Sequence, residues 1–93
     1  MIYIDDCVWK KPRGRESYAH MVADTHAELH AFAEKIGLGQ HFFHKSSKVQ
    51  HYDVSTKFYK KAIQAGAQLT SREGLLTRGK AMMLYRQMKD LKQ

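Results

Sequence analysis

Thr25-His26-Ala27-Glu28-Leu29-His30-Ala31-Phe32-Ala33-Glu34-Lys35-Ile36-Gly37 is a stretch that carries its own start and stop signals. The Thr25 hydroxyl and the Glu28 carboxylate stand three residues apart, the spacing at which both can satisfy first-turn amides. Leu29, Phe32, Ala33 and Ile36 recur at helical spacing, and Gly37 can take the left-handed conformation that ends a helix. A helix from about Thr25 to Ile36 follows.

Upstream, Met1-Ile2-Tyr3-Ile4 is a short apolar run, β-branched and aromatic, that ends in Asp5 and Asp6 and suits a buried strand. Downstream, His41-Phe42-Phe43-His44 reads as a second strand and the polar stretch Lys45 to Gln50 as a loop. Ser55 or Thr56 caps a second helix with Tyr59, Ala62 and Ile63 on its apolar stripe and Gly66 at its close. Ala67-Gln68-Leu69-Thr70 reads as a third strand. Thr70-Ser71-Arg72-Glu73 then repeats the capping pattern at the head of a last helix, with Gly79 as a kink or boundary. Strand and helix thus alternate three times. The expectation is an α/β domain of two or three layers, with a short, mostly parallel three-stranded sheet, right-handed crossovers and a basic C-terminal helix. Residues 1–93 form one domain in this reading, with a core to about residue 75 and a helical extension from about 76 to 93. The stretch from Cys7 to Asp24 shows no clear pattern, and long loops in small domains are usually functional or mobile.

The formal net charge is +7, from sixteen Lys and Arg against nine Asp and Glu. Arg72, Arg78, Lys80, Arg86, Lys89 and Lys92 concentrate the excess at the C-terminal end, and Lys10, Lys11, Arg13 and Arg15 form a second cluster. Basic surfaces attract phosphate, so a nucleotide or nucleic acid is the expected partner. A single cysteine, Cys7, allows no internal disulfide and fits a reducing compartment. No leader pattern and no long apolar run is present, so a cytoplasmic protein with no membrane partner is expected, in the host cytoplasm if the chain is phage-encoded. The Met and Leu content of the last helix suits a homodimer.

In open parallel sheets, ligands bind beyond the carboxyl ends of the strands. Applied here, that rule selects Asp5 and Asp6, His44 with its following loop, and Ser71-Arg72. Adjacent aspartates at a strand end suit a divalent cation such as Mg²⁺, although neighbours in a strand point to opposite faces. His20 and Asp24 precede the first long helix, and His51-Tyr52-Asp53 precedes the second. These residue types serve general acid-base work near neutral pH. Asp24 and Asp53 could equally be helix caps. His26 with His30, or His41 with His44, raises structural zinc, but no thiolate pair and no HExxH accompanies them. Glycine-rich phosphate loops, GxSxG and CxxC are absent. Cys7 reads better as an inert thiol than as a nucleophile. Trp9, Tyr18 and Tyr52 suit loop anchors better than base-stacking platforms. Met82, Met83 and Met88 read as core or interface filler.

The ordered series Met1-Ile2-Tyr3-Ile4-Asp5-Asp6, Tyr18-Ala19-His20-Met21-Val22-Ala23-Asp24, Glu28-Leu29-His30-Ala31-Phe32-Ala33, His51-Tyr52-Asp53-Val54 and Gly66-Ala67 resembles the small phage and bacterial domain-of-unknown-function family 4031. The resemblance reaches to about Leu75 and implies Asp5, His20, Asp24, His30, His51 and Asp53 as polar signature positions; it supplies no activity. The basic C-terminal helix looks like a local elaboration on it. The functional expectation is a phosphate-directed hydrolase or transferase acting on a nucleotide or nucleic acid. Asp5 or Asp6 would hold metal or orient water, and His20 and His51 would act as acid and base. Asp24 or Asp53 would orient them, and Arg13, Arg15 and Arg72 would meet phosphate. The alternatives are a binding module that uses the basic surface without chemistry, and a small-ligand sensor.

Overall fold

Ile2–Ile4 forms the first strand, β1, and all three residues are buried, as a strand covered on both faces requires. The computed structural model describes residues 1–10 and 17–91. After β1 come a short helix α1 (Cys7–Lys10), β2 (Tyr18–Ala23), α2 (His26–Lys35), a 3-10 turn at Gln40–Phe42, and β3 (Phe43–His44). β4 (His51–Ser55), α3 (Thr56–Gln64), β5 (Gln68–Leu69) and α4 (Arg72–Leu91) complete the chain.

The domain is mixed α/β, but its sheet is not the short, mostly parallel one expected. Five strands lie in the order β3-β4-β2-β1-β5. β1 with β2, β2 with β4, and β3 with β4 pair antiparallel, and among the described strands β1 with β5 is the parallel pair. Two strands, β2 and β4, account for the difference. β2 occupies the end of the segment that shows no pattern in the sequence, and β4 occupies residues read as the approach to a helix. β4, α3 and β5 still form one strand-helix-strand crossover, which passes over β2 and β1 to place β5 beside β1.

The helix ends follow local chemistry. Thr25 caps α2 through a hydrogen bond from the Glu28 amide, 3.1 Å, while Glu28's own carboxylate reaches the Met1 nitrogen rather than closing the capping box. Gly37 and Gly66 both take positive φ, 81° and 109°, behind α2 and α3. At α4 the cap is Ser71, whose Oγ accepts from the Gly74 amide at 3.0 Å. The helices cover both faces. His30 of α2 meets Phe43 and Tyr52 on one face, while on the other Arg78 of α4 lies 4.7 Å over the Tyr3 ring.

Gly79 does not break α4, which runs through it without interruption. It is buried where the helix approaches the sheet. A Cβ there would stand 2.3 Å from Val49 Cγ1 and 3.3 Å from Val22 Cγ1. Alanine would gain about 1 kcal/mol of helix propensity, against an overpacking cost of about 1–3 kcal/mol. Gly79→Ala is therefore expected to lower the midpoint of thermal unfolding followed by circular dichroism. A higher midpoint would mean that Val49 yields freely.

Candidate functional site

β4 alternates, with Tyr52 and Val54 fully buried while His51, Asp53 and Ser55 are partly exposed. β2 runs beside it with His20 directly opposite Asp53, and β3 on the other side sets His44 opposite His51. Opposed residues on paired strands share a face with their Cβ atoms about 5 Å apart. Strand register therefore gathers His20, Asp53, His51 and His44 on one face.

Asp5, the residue after β1, supports this group from below. It has no exposed surface and is the one buried charged residue among those described. Its Oδ1 accepts from the Cys7 amide at 3.2 Å and the His20 amide at 2.9 Å. Its Oδ2 accepts from the Cys7 thiol at 3.3 Å and lies 2.7 Å from His20 Nδ1. Burial pushes the Asp5 carboxyl up, but the bonds from His20 and Cys7 outweigh it and leave its pKa below the usual carboxylate value. The same bond to Asp5 raises the His20 pKa, against burial, which lowers it. Each partner thus favours the charged form of the other.

The second half of the cluster faces His20 edge-on, with the His20 and His51 rings 5.0 Å apart. His51 Nδ1 lies 2.7 Å from the Val49 carbonyl, which fixes Nδ1 as a donor, and Nε2 lies 3.2 Å from Asp53 Oδ1. Asp53 Oδ2 is held by His44 Nε2 at 2.6 Å, and the His44 ring stacks on that of His51. A cavity of about 260 Å³ opens beside His20 and His51, with Ser47, Lys48, Val49 and Arg72 among its walls.

Asp5, His20, His51 and Asp53 thus come together, and Arg72 stands at the cavity lined by His20 and His51. Asp24 does not join them. It sits at the opposite end of β1, where Oδ1 accepts from the Tyr3 hydroxyl at 3.1 Å and Oδ2 meets the Met1 nitrogen. The expected metal pair Asp5 and Asp6 does not recur within a larger group of potential ligands among the described residues. Asp5 has both oxygens engaged inside the protein, and Asp6 belongs to neither group of potential ligands found among the described residues. Those groups are Asp5, Cys7 and His20, and His20, His51 and Asp53, each with its ligand atoms within 4.8 Å of one another. Arg13 and Arg15 lie outside the described residues, as does the side chain of Trp9.

Neither zinc pairing suggested by spacing takes shape. His26 bonds Gln50 at 2.7 Å, and His30 Nδ1 lies 2.7 Å from the Tyr52 hydroxyl on the other face, where burial pushes the His30 pKa down. His41 packs on Phe42, while His44 turns to Asp53. Tyr52 is a core residue rather than a stacking platform. The Cys7 thiol is pushed up by burial and then by its bond to Asp5, so it stays protonated and a poor nucleophile. Sequence reasoning missed His44 as the partner of Asp53, Lys48 on the cavity wall and the Val49 carbonyl behind His51. A polar loop offers no periodicity from which Lys48 and Val49 could be found, but His44 was visible as a strand-end histidine.

Fold and cluster together define a small α/β domain with an Asp/His polar centre on the face of its sheet. The chain belongs to the family described as protein of unknown function (DUF4031), whose family model matches residues 2–82. No curated protein and no solved structure matches it. The match ends at Met82, the last buried residue of α4 among those described. Among the described residues, no helix is long and apolar enough to cross a membrane.

Proposed function

We propose that this domain hydrolyses a phosphate ester of a nucleotide or nucleic acid at the cluster of Asp5, His20, His51 and Asp53. The observation that carries the reading is the 2.7 Å contact between buried Asp5 and His20 Nδ1, at a cavity that also holds Arg72 and Lys48. A carboxylate behind one imidazole nitrogen fixes the tautomer and leaves Nε2 as a base for an attacking water. His51, on the same cavity with Asp53 behind its Nε2, would return a proton to the leaving oxygen, and the two cations can hold the phosphate.

The test is a panel of nucleoside mono-, di- and triphosphates, cyclic nucleotides and short DNA and RNA strands, with products separated by chromatography. Turnover of one class by the wild type, reduced about 10²–10⁴-fold in His20→Ala, is the expected result. No product from any member of the panel would overturn the reading. A binding module remains the second reading, favoured by the exposed Lys80, Arg86 and Lys89 of α4. It expects nucleic-acid affinity that falls steeply with salt and is indifferent to His20→Ala.

A further inference from the structure

We propose that His20, His51 and Asp53 bind one zinc-class divalent cation, with Asp5 and the Val49 carbonyl as the outer supports of the two histidines. This rests on reading the cluster as the phosphate-ester reaction centre, with Nε2 of His20 and His51 holding the cation instead of moving protons and the bound ion supplying the activation of the attacking water.

The first support is how the histidines are held. Metal-binding imidazoles almost always give their second nitrogen to a carboxylate or a main-chain carbonyl, which orients the ring and raises its basicity as a ligand. Both forms occur here on neighbouring strands, with Asp5 Oδ2 and the Val49 carbonyl each 2.7 Å from an Nδ1. Each histidine therefore keeps Nε2 as the nitrogen available to a ligand.

The second support is the contact between His51 and Asp53. With Nδ1–H committed to Val49, a neutral His51 ring presents the Nε2 lone pair to Asp53 Oδ1 at 3.2 Å. A cation between the two acceptors would satisfy both. A tetrahedral ion with bonds of about 2.0–2.2 Å holds its ligand atoms roughly 3.4 Å apart, close to this spacing. His20 completes a set whose ligand atoms all lie within 4.8 Å of one another.

Two imidazoles and one carboxylate select against Mg²⁺, which prefers oxygen and near-octahedral geometry, and suit zinc with water in the fourth position. The water would face the cavity beside Arg72. The alternative group of Asp5, Cys7 and His20 is less suited to a cation. It would require Asp5 to surrender two internal donors and Cys7 to lose a proton that burial and Asp5 help to retain.

The experiment titrates the chelator-treated protein with Zn²⁺ by calorimetry and with Co²⁺ by visible absorption, which reports coordination geometry. One ion per chain with a tetrahedral cobalt spectrum is expected. Affinity should fall at least 100-fold in His51→Ala and in Asp53→Asn, and remain unchanged in His41→Ala, whose exposed ring packs on Phe42. Circular dichroism of each variant separates lost ligands from lost fold. Absence of Zn²⁺ binding by the folded wild type, or binding that survives His51→Ala and Asp53→Asn together, would overturn the proposal. Phosphate-ester turnover that persists in chelator with no Zn²⁺ bound would likewise sink the metal centre but keep the hydrolase. Stoichiometric Zn²⁺ at these ligands without turnover would keep the metal centre and sink the hydrolase.

Discussion

Asp5→Ala is expected to remove about 3–5 kcal/mol of folding stability, measured as a lower midpoint in urea with an unchanged slope. A domain of 93 residues has roughly 5–14 kcal/mol in all, so the loss takes a large share of it. The figure follows from what the carboxylate holds. Alanine would leave the main-chain amides of Cys7 and His20 without their buried acceptor just past the end of β1, where each unmet donor costs about 1–3 kcal/mol. It would also remove the partner of the His20 ring and open a polar void. If Asp5→Ala cost under about 1 kcal/mol, water would be replacing the carboxylate and Asp5 would not organise the site.

The helices were readable because their ends are local. Thr25, Gly37 and Gly66 act within one turn of where they stand, and the structure uses each of them at a helix end. β2 and β4 were harder to read because the candidate site residues themselves lie on them. His20 interrupts the apolar run from Tyr18 to Ala23, and His51 and Asp53 supply the polar half of an alternation whose apolar half is Tyr52 and Val54. That alternation is the period of a half-buried strand, and treating His-Tyr-Asp as the approach to a helix concealed it. Once β4 is a strand, His51 and Asp53 must share a face, and the face becomes the site.

Residue types were more legible than partnerships. Asp5 and His20 are fifteen positions apart and meet because β1 and β2 pair antiparallel, a register that no local spacing announces. The same register explains Asp24. Ile2 is opposite Ala23 and Ile4 opposite Met21, so the strand that brings His20 to Asp5 carries Asp24 to the other end of β1. The rule that ligands gather beyond the ends of parallel strands still located Asp5 and Arg72. β1 and β5 are the strands that obey it, lying parallel and adjacent with those two residues just beyond their ends.

Asp5→Asn should separate support of the fold from support of the chemistry. The asparagine oxygen can occupy the place of Oδ1 and keep both main-chain donors, so a stability loss of less than about 2 kcal/mol is expected. The amide nitrogen then takes the place of Oδ2, where it donates toward His20 Nδ1 instead of accepting from it. The imidazole answers by moving its proton to Nε2, and the lone pair offered to water or to a metal disappears. Turnover is expected to fall about 10²–10⁴-fold in a folded protein, and Zn²⁺ affinity about 10–100-fold. Nitrogen chemical shifts of the His20 ring in the two proteins report the tautomer directly. A folded Asp5→Asn protein with the reversed tautomer and wild-type turnover would show that His20 Nε2 takes no proton in the reaction. Lost turnover with the tautomer reversed would make Asp5 a positioning residue acting through His20. It would also explain why the buried carboxylate lies against a histidine at the cavity and not in a salt bridge elsewhere.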